Sequence, residues 1–269
     1  MYDILIIGGG PAGVSAALTA HNRGKSAAII TNPYEGSGLY KAKEINNYPG
    51  LRGASGAKLL ETMYAELSGS GIEVIHGRAL SAMPISEGFA VSVGQDYLSG
   101  KALIIAVGIT QSALFPGEAE YLGRGVSYCA TCDGMLYRNR SVAVIGLSDE
   151  SESEAEFLRS IGCKVEYFGR ERAKRFKICG GDTVQSLIAD DTEYSVDGVF
   201  VLRKTIAPSA LLSGLELSDG HILANDMGQT SVEGVFAAGD CVGRPYQVAR
   251  AVGQGNTAAL SACEYLDKD

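Results

Sequence analysis

The stretch Asp3-Ile4-Leu5-Ile6-Ile7-Gly8-Gly9-Gly10-Pro11-Ala12-Gly13 decides the fold. Asp3–Ile7 is a short apolar run, too short for a helix and right for a strand buried on both faces. The glycines behind it have the spacing Gly8-x-Gly10-x-x-Gly13. In such a turn the first glycine permits the sharp bend, the second lets backbone approach a pyrophosphate, and the third lets the next helix pack closely on the strand. Val14 to Arg23 is Ala-rich and helix-favouring, Gly24 is placed to end it, and Lys25–Thr31 gives a second strand. A strand before and a helix after are the context that a glycine motif needs. The helix start would offer free N–H groups and a positive dipole end to phosphate. A plain glycine-rich turn of an α/β fold is the competing explanation. The acid expected about 20 residues on, to hold a ribose, is missing. Thr31-Asn32 stands there, and Glu35 is the nearest acid.

Outward from this start, residues 32–53 read as an irregular loop and Ala57–Leu67 as a helix. Glu73–His76, Phe89–Val93 and Ala102–Val107 read as strands, with Gly108 closing the last. A second strand–turn–helix–strand unit follows: Ser141–Ile145, Gly146, Glu150–Ile161 and Lys164–Phe168. Phe157, Leu158 and Ile161 share one face of its helix. Gly198–Leu202 and Val235–Ala238 are further strands, and Ala249–Leu266 is an Ala-rich helix. Two such units predict two nucleotide-type folds, one nested in the other.

Composition agrees. The chain has 269 residues, 46% of them apolar and 20% charged, which suits a globular protein of two domains or one large one. Its net charge of −8 argues against a general nucleic-acid binder. No run approaches the roughly 18 apolar residues of a membrane helix. The N-terminus enters a strand at once with no basic leader, so the expectation is a cytoplasmic protein away from membranes. The 35 glycines are about twice the usual share, so many backbone positions turn tightly or approach something closely.

The chemistry-bearing motif is Cys129-Ala130-Thr131-Cys132-Asp133-Gly134. A C-x-x-C pair in a cytosolic setting points to redox or metal chemistry. Zinc would want four ligands. The remaining cysteines, Cys163, Cys179, Cys241 and Cys263, form no second pair, so a redox-active disulfide is expected and no metal. Those four read as buried small hydrophobes. Asp133 stands where a carboxyl can pass protons to a leaving thiolate, or merely where an aspartate serves a turn. Gly239-Asp240 ends an apolar strand ahead of Gln247-Val248. An acid there can bind sugar hydroxyls, although an ordinary strand–helix turn would look the same. His21, His76 and His221 fall in no motif, and no Gly-x-Ser-x-Gly is present, which argues against a Ser-His-Asp hydrolase.

Taken in order, these motifs resemble the low-molecular-weight flavoprotein thioredoxin reductases over most of the chain. Gly8–Gly13 resembles the first FAD motif, and Glu44–Gly50 the flavin-side loop. Ala102–Gly108 is similar to the Ala-Thr-Gly strand, with Val107 in place of Thr. Gly125–Gly134 is nearly the active-site signature, and Thr230–Asp240 resembles the second FAD motif. The resemblance implies non-covalent FAD held by Gly8, Gly10, Pro11, Ala12, Gly13, Thr31, Gly38, Asn47, Ala106, Gly108, Gly239, Asp240, Gln247 and Val248. It implies that Cys132 lies against the flavin, that Cys129 attacks the partner disulfide, and that Asp133 is the acid–base. It also implies a homodimer, thioredoxin as substrate, and rotation of the disulfide domain to expose Cys129. The expected division is an FAD domain of residues 1–111 and 204–269, with residues 112–203 inserted as a redox-disulfide domain of reduced NADPH-type fold.

The second glycine turn departs from that family. It reads Gly146-Leu147-Ser148-Asp149-Glu150-Ser151, keeping only the first glycine. Side chains stand where backbone should approach a pyrophosphate, and two acids stand where an anion should be drawn. Like charges a few Å apart cost about 1–4 kcal/mol at effective dielectrics of 80 to 20. Gly169-Arg170-Glu171 replaces the His-Arg-Arg that would hold a 2′-phosphate, although Arg175 remains. Little separates Gly180-Gly181 from the strand at Gly198. The expectation is a fold kept without its dinucleotide, so no NADPH. The resemblance narrows to the ferredoxin-dependent flavin thioredoxin reductases, with ferredoxin as electron donor. Arg170, Arg172, Lys174, Arg175 and Lys177 form the densest basic cluster, either a docking patch or a solvated remnant. Lys41, Lys43, Arg138, Arg140, Arg244 and Arg250 are other candidates. The alternatives are an NAD(P)H- or other hydride-dependent reductase with an atypical site, and a non-enzymatic flavin redox module.

Overall fold

The computed structural model describes residues 1–109, 114–148, 150–169, 171–203 and 207–268. Asp149, Arg170 and the expected domain boundaries at 111–112 and 204 lie outside them. The chain divides into two compact units, Met1–Thr110 with Ala207–Asp269, and Gln111–Ile206.

In chain order the first unit supplies β1 (Tyr2–Ile7), α1 (Pro11–Asn22), β2 (Ala27–Thr31), α2 (Gly56–Ser70), β3 (Glu73–His76), β4 (Ala79–Ile85), β5 (Gly88–Val93) and β6 (Asp96–Ile105). The second contributes β7 (Val126–Ser127), α3 (Ala130–Asp133), β8 (Ser141–Gly146), α4 (Ser151–Ser160), β9 (Lys164–Phe168), β10 (Phe176–Gly180), β11 (Val184–Ala189), β12 (Thr192–Ser195) and β13 (Gly198–Leu202). The chain returns to the first unit with α5 (Pro208–Leu211), β14 (Leu217–Ser218), β15 (His221–Ile222), β16 (Val235–Ala237) and α6 (Val248–Leu266).

The first unit is built on a sheet ordered β3-β2-β1-β6-β5-β4, with β16 also paired to β6. β3, β2, β1, β6 and β16 run parallel, whereas β5 and β4 add an antiparallel extension. Ile4, Leu5 and Ile6 are fully buried, which is why β1 reads as an unbroken apolar run. Helices α1 and α6 cover it; a Cβ on Gly255 of α6 would lie 2.0 Å from the Ala12 carbonyl of α1, so only glycine allows that approach. The second unit repeats the plan on a smaller scale, with the parallel order β7-β13-β8-β9. Its core joins Val142, Val144, Leu158, Phe200 and Leu202. Phe157 and Ile161 pack against it as the helix pattern predicts.

Several elements were not foreseen, most of them short. β4 is an additional strand, carrying Pro84. The segment between Gly180 and Gly198 is not bare: it holds β11 and β12, which form a three-stranded antiparallel sheet with β10. No helix among the described residues is long and apolar enough to cross a membrane.

Candidate functional site

The glycine turn of the first unit leaves β1 and enters α1. Gly8 has φ +113°, and a Cβ there would meet the Ala106 carbonyl at 2.2 Å, so the end of β1 lies hard against the residue after β6. A Cβ on Gly13 would fall 1.8 Å from the Gly8 carbonyl. Gly10 is different: nothing stands within 4 Å of where its Cβ would be. It is also the N-cap of α1 and supplies no side-chain cap, while Pro11 occupies the first turn. Bare backbone at a helix start facing open space is the cradle that a pyrophosphate needs. The intervening peptide is clamped from both sides. Thr31 Oγ1 accepts the Gly9 N–H at 3.1 Å, and the Tyr64 hydroxyl donates to the Gly9 carbonyl at 3.0 Å.

Other expected cofactor residues gather on the same unit. Gly239 has φ +84°, and its Cβ would touch Ala12 Cβ at 2.9 Å, which brings the Gly239-Asp240 turn to the start of α1. The Gly239 N–H donates to Gln254 Oε1 at 3.1 Å. Burial raises the Asp240 carboxyl above its ordinary value, and Arg250 partly offsets this. Asn47 Nδ2 donates to Gln247 Oε1 at 2.6 Å, joining two expected contacts that are 200 residues apart in sequence. Gln247 is the N-cap of α6, and Val248 is its first residue. Gly108 has φ +69° just beyond β6. Gly38 has open space around it within 4 Å, and no described contact ties it to the glycine turn. The turn, the two helix starts and the Asp240 side chain therefore fit a dinucleotide-type cofactor.

In the second unit Cys129 and Cys132 are bonded as a disulfide. Cys132 sits in α3, which begins directly after Cys129. Cys129 is buried at 6% exposure, whereas Cys132 is exposed, so an attack by Cys129 on a protein partner requires it to be uncovered. Cys129 Sγ accepts the Cys132 N–H at 3.1 Å. Sequence reasoning did not single out Ser127. Its hydroxyl accepts the Cys129 N–H at 3.1 Å and donates to the Asp133 carboxylate at 2.7 Å, fixing that carboxylate beside the disulfide turn. Glu154 of α4 was also missed; its carboxylate accepts the Ala130 N–H at 3.2 Å. Met135 and Leu136, just past the disulfide, are 57% and 72% exposed.

The second glycine turn is filled. Counting from the strand end, Gly146 matches Gly8, Ser148 matches Gly10 and Ser151 matches Gly13. Ser148 and Ser151 are buried. Ser151 Oγ donates to the Ser148 carbonyl at 2.7 Å and pairs with the Tyr167 hydroxyl at 2.9 Å. A Cβ on Gly146 would meet that hydroxyl at 2.5 Å. Helix α4 begins only at Ser151, and the exposed Glu150 is its N-cap.

Two of the four described members of the basic cluster are ion-paired. Arg172 pairs with Glu166, and Arg175 with Asp191 at 3.2 Å. Lys174 and Lys177 are exposed. Of the other cysteines, Cys163, Cys241 and Cys263 are buried, but Cys179 is only half-buried. Among the described residues no group of three or more His, Cys, Asp or Glu could hold a metal ion.

The sequence profile of the pyridine nucleotide-disulphide oxidoreductases matches residues 2–176 and 170–255. The chain belongs to that family, among its thioredoxin reductases. A thioredoxin reductase of Aquifex aeolicus is 32% identical, covering 99% of this chain and 94% of its own. One of Bacillus subtilis is 29% identical over 302 aligned residues, covering 100% and 96%. A crystal structure of a ferredoxin-flavin thioredoxin reductase from Clostridium acetobutylicum superposes with a TM-score of 0.90 at 38% identity, covering 99% of this chain and 98% of that one. A thioredoxin reductase from Gloeobacter violaceus gives a TM-score of 0.80 at 30% identity, covering 99% and 95%.

Proposed function

We propose that this thioredoxin reductase takes its electrons from reduced ferredoxin, passes them through non-covalently bound FAD to the Cys129–Cys132 disulfide, and delivers them to thioredoxin. The observation that carries the choice of donor is the second glycine turn. Where the first turn leaves Gly10 bare, this one buries the Ser148 side chain and ties Ser151 to Tyr167. A pyrophosphate would have to displace the buried Ser148 side chain, whose own hydroxyl has no hydrogen-bond partner among the described residues, and face Glu150. Two comparisons support the reading. The alignment with the Bacillus relative is longer than this chain, so that relative carries residues with no counterpart here. The Clostridium structure matches nearly end to end.

On this reading the first unit is the FAD domain and the second carries the disulfide. FAD, when bound, supplies the means to accept single electrons and hand on a pair. The chain's own residues do the rest. Gly10, with the start of α1, receives the pyrophosphate, and Thr31 and Tyr64 hold the turn in shape. Cys132 faces the flavin, and Cys129 attacks the thioredoxin disulfide. Asp133, held by Ser127, carries the proton to and from the sulfur. The exposed Met135 and Leu136 give a protein substrate an apolar foothold beside the disulfide. Because one disulfide serves both a flavin and a bulky protein, the disulfide unit rotates between the two tasks. The driving force is ample: a ferredoxin near −400 mV and a thioredoxin near −270 mV differ by ~130 mV, about 6 kcal/mol for two electrons. The family resemblance further supports a cytoplasmic homodimer.

The test is anaerobic thioredoxin reduction with NADPH, NADH and reduced ferredoxin side by side. Ferredoxin is expected to support turnover, and neither nicotinamide is expected to bleach the flavin. Prompt bleaching by NADPH overturns the choice of donor. Bound flavin that reduces no thioredoxin from any donor, even after photoreduction, leaves only a flavin-binding module.

A further inference from the structure

The described part of the second unit begins close to Phe115 and ends at Arg203, and these ends meet in its interior. Arg203 NH2 donates to Glu118 Oε2 at 2.8 Å, and NH1 binds the other carboxylate oxygen, so the pair is bidentate. Both side chains are buried, Glu118 at 0% and Arg203 at 7% exposure. The carboxylate also accepts the Phe115 N–H at 2.8 Å, and the guanidinium lies over the Phe115 ring at 5.0 Å. Gly117 is pressed onto β10, since a Cβ there would meet the Ile178 carbonyl at 2.1 Å. The turn that carries Glu118 is tied to β7, since the Tyr121 N–H donates to the Gly117 carbonyl at 3.0 Å and the Val126 N–H to the Tyr121 carbonyl at 2.9 Å, and β13, which ends directly before Arg203, pairs with β7 through Val199 and Val126. β7 is followed by the buried Tyr128, whose phenol is raised by burial first and then by the Glu118 charge. The next residue is Cys129.

A buried ion pair is weak evidence for stability, because desolvation offsets most of the attraction; its better-attested use is to specify one arrangement. Here the arrangement joins three places: the entry to the unit at Phe115–Glu118, the exit at Arg203, and the residue in front of the disulfide. We propose that Glu118 and Arg203 are positioning residues for the Cys129–Cys132 disulfide, fixing it with respect to both points where the chain enters and leaves its unit. The proposal rests on the electron path above. A disulfide that must meet a flavin and then a protein partner needs a fixed place on the body that carries it, since a misplacement of about 1 Å can cost 10²-fold in rate.

The test uses the full-length holoenzyme and three variants: Glu118→Gln, Arg203→Met, and the double variant Glu118→Leu with Arg203→Met. Each single change strands a buried partner and should lower the melting temperature. The double change removes both charges and should recover it. The two readouts are amide hydrogen exchange over Val126–Cys132, which needs no flavin, and thioredoxin reduction by the photoreduced enzyme. In the double variant, with FAD content and melting temperature near wild type, exchange there should rise tenfold or more while β8 and β13 keep their protection. Thioredoxin reduction should fall about tenfold or more, in kcat rather than KM. Wild-type exchange or wild-type turnover in that variant overturns the proposal and leaves the pair a structural filler. Should the double variant fail to fold, Arg203→Lys, which keeps the charge and loses the fork, is judged on the same two readouts. A wild-type enzyme whose photoreduced flavin leaves thioredoxin oxidised removes the electron path instead; the exchange readout still decides whether the pair holds the disulfide segment.

Discussion

The hydroxyls of Ser151 and Tyr167 lie 2.9 Å apart, joining the first residue of α4 to β9, where the first unit has only Gly13 in the first turn of α1. The same strand–turn–helix plan therefore produces an open turn in one unit and a filled one in the other. The difference rests on two serines and a tyrosine.

That pair makes a stability prediction. Ser151→Ala leaves the Tyr167 hydroxyl without this partner and also removes the bond to the Ser148 carbonyl, so it should cost about 1–3 kcal/mol in chemical denaturation. Tyr167→Phe should cost less, because Ser151 keeps its backbone acceptor. The double variant should fall short of the sum of the two, since they share one bond. Strict additivity would show that the two hydroxyls do not interact.

The first turn makes a binding prediction. Gly10→Ala projects a methyl into space where nothing stands within 4 Å. The apoprotein should fold and melt as before, while titration with FAD should show affinity lower by about tenfold or more, as backbone approach to the pyrophosphate is blocked. Gly13→Ala should behave differently. Its Cβ would lie 1.8 Å from the Gly8 carbonyl, so the turn itself must break and the apoprotein should lose stability. Equal effects of the two changes on apoprotein melting would contradict this division.

These contrasts mark what the sequence could tell. The β1 turn was legible because strand, glycine spacing and helix signal agree locally, and Ser148 and Ser151 were visible as departures from that spacing. The β10–β12 sheet was overlooked although a signal existed: Asp190-Asp191 joins β11 to β12, with Asp190 at φ +51°, a backbone state that aspartate tolerates in a tight hairpin. β4 was hidden by Pro84, a residue compatible with an edge strand such as this one. Ser127 lay inside the active-site signature but carried no chemistry of its own to attract notice. Glu118 and Arg203 are 85 residues apart, and no local pattern links an acid after a turn to an arginine after a buried strand. Contacts made by tertiary packing leave no periodic trace.

The Ser127–Asp133 bond makes a catalytic prediction. Asp133→Asn should slow thioredoxin reduction on the order of 10²-fold if the carboxyl transfers the proton, while dithiothreitol still opens the disulfide. Ser127→Ala should slow it less, because the carboxyl remains but loses the hydroxyl that holds it at 2.7 Å. Single-turnover measurement with photoreduced enzyme separates this step from electron delivery. An unchanged rate in Asp133→Asn would reduce that aspartate to a turn residue.

Cys241 supplies a pH prediction whose sign can be worked through. Its thiol is fully enclosed, lies 3.2 Å from the Ala238 carbonyl and 3.4 Å from that of Ile105, and is pushed up by burial to about 12 from an ordinary 9.0. An acid whose folded pKa is raised loses its proton first in the unfolded chain. Above pH 9 the unfolded state is therefore favoured, at about 1.4 kcal/mol per pH unit while only its thiol is ionised. This contribution should be absent below pH 8 and grow towards pH 12. Cys241→Ala should flatten the fall in stability across that window relative to wild type, whatever its effect at neutral pH. The same burial predicts reactivity: in the reduced native enzyme at pH 8, iodoacetamide should label the opened Cys129–Cys132 pair while Cys241 stays unmodified until the chain is unfolded. Rapid native labelling of Cys241, or an alkaline slope unchanged by Cys241→Ala, would mean that the thiol is neither enclosed nor held protonated.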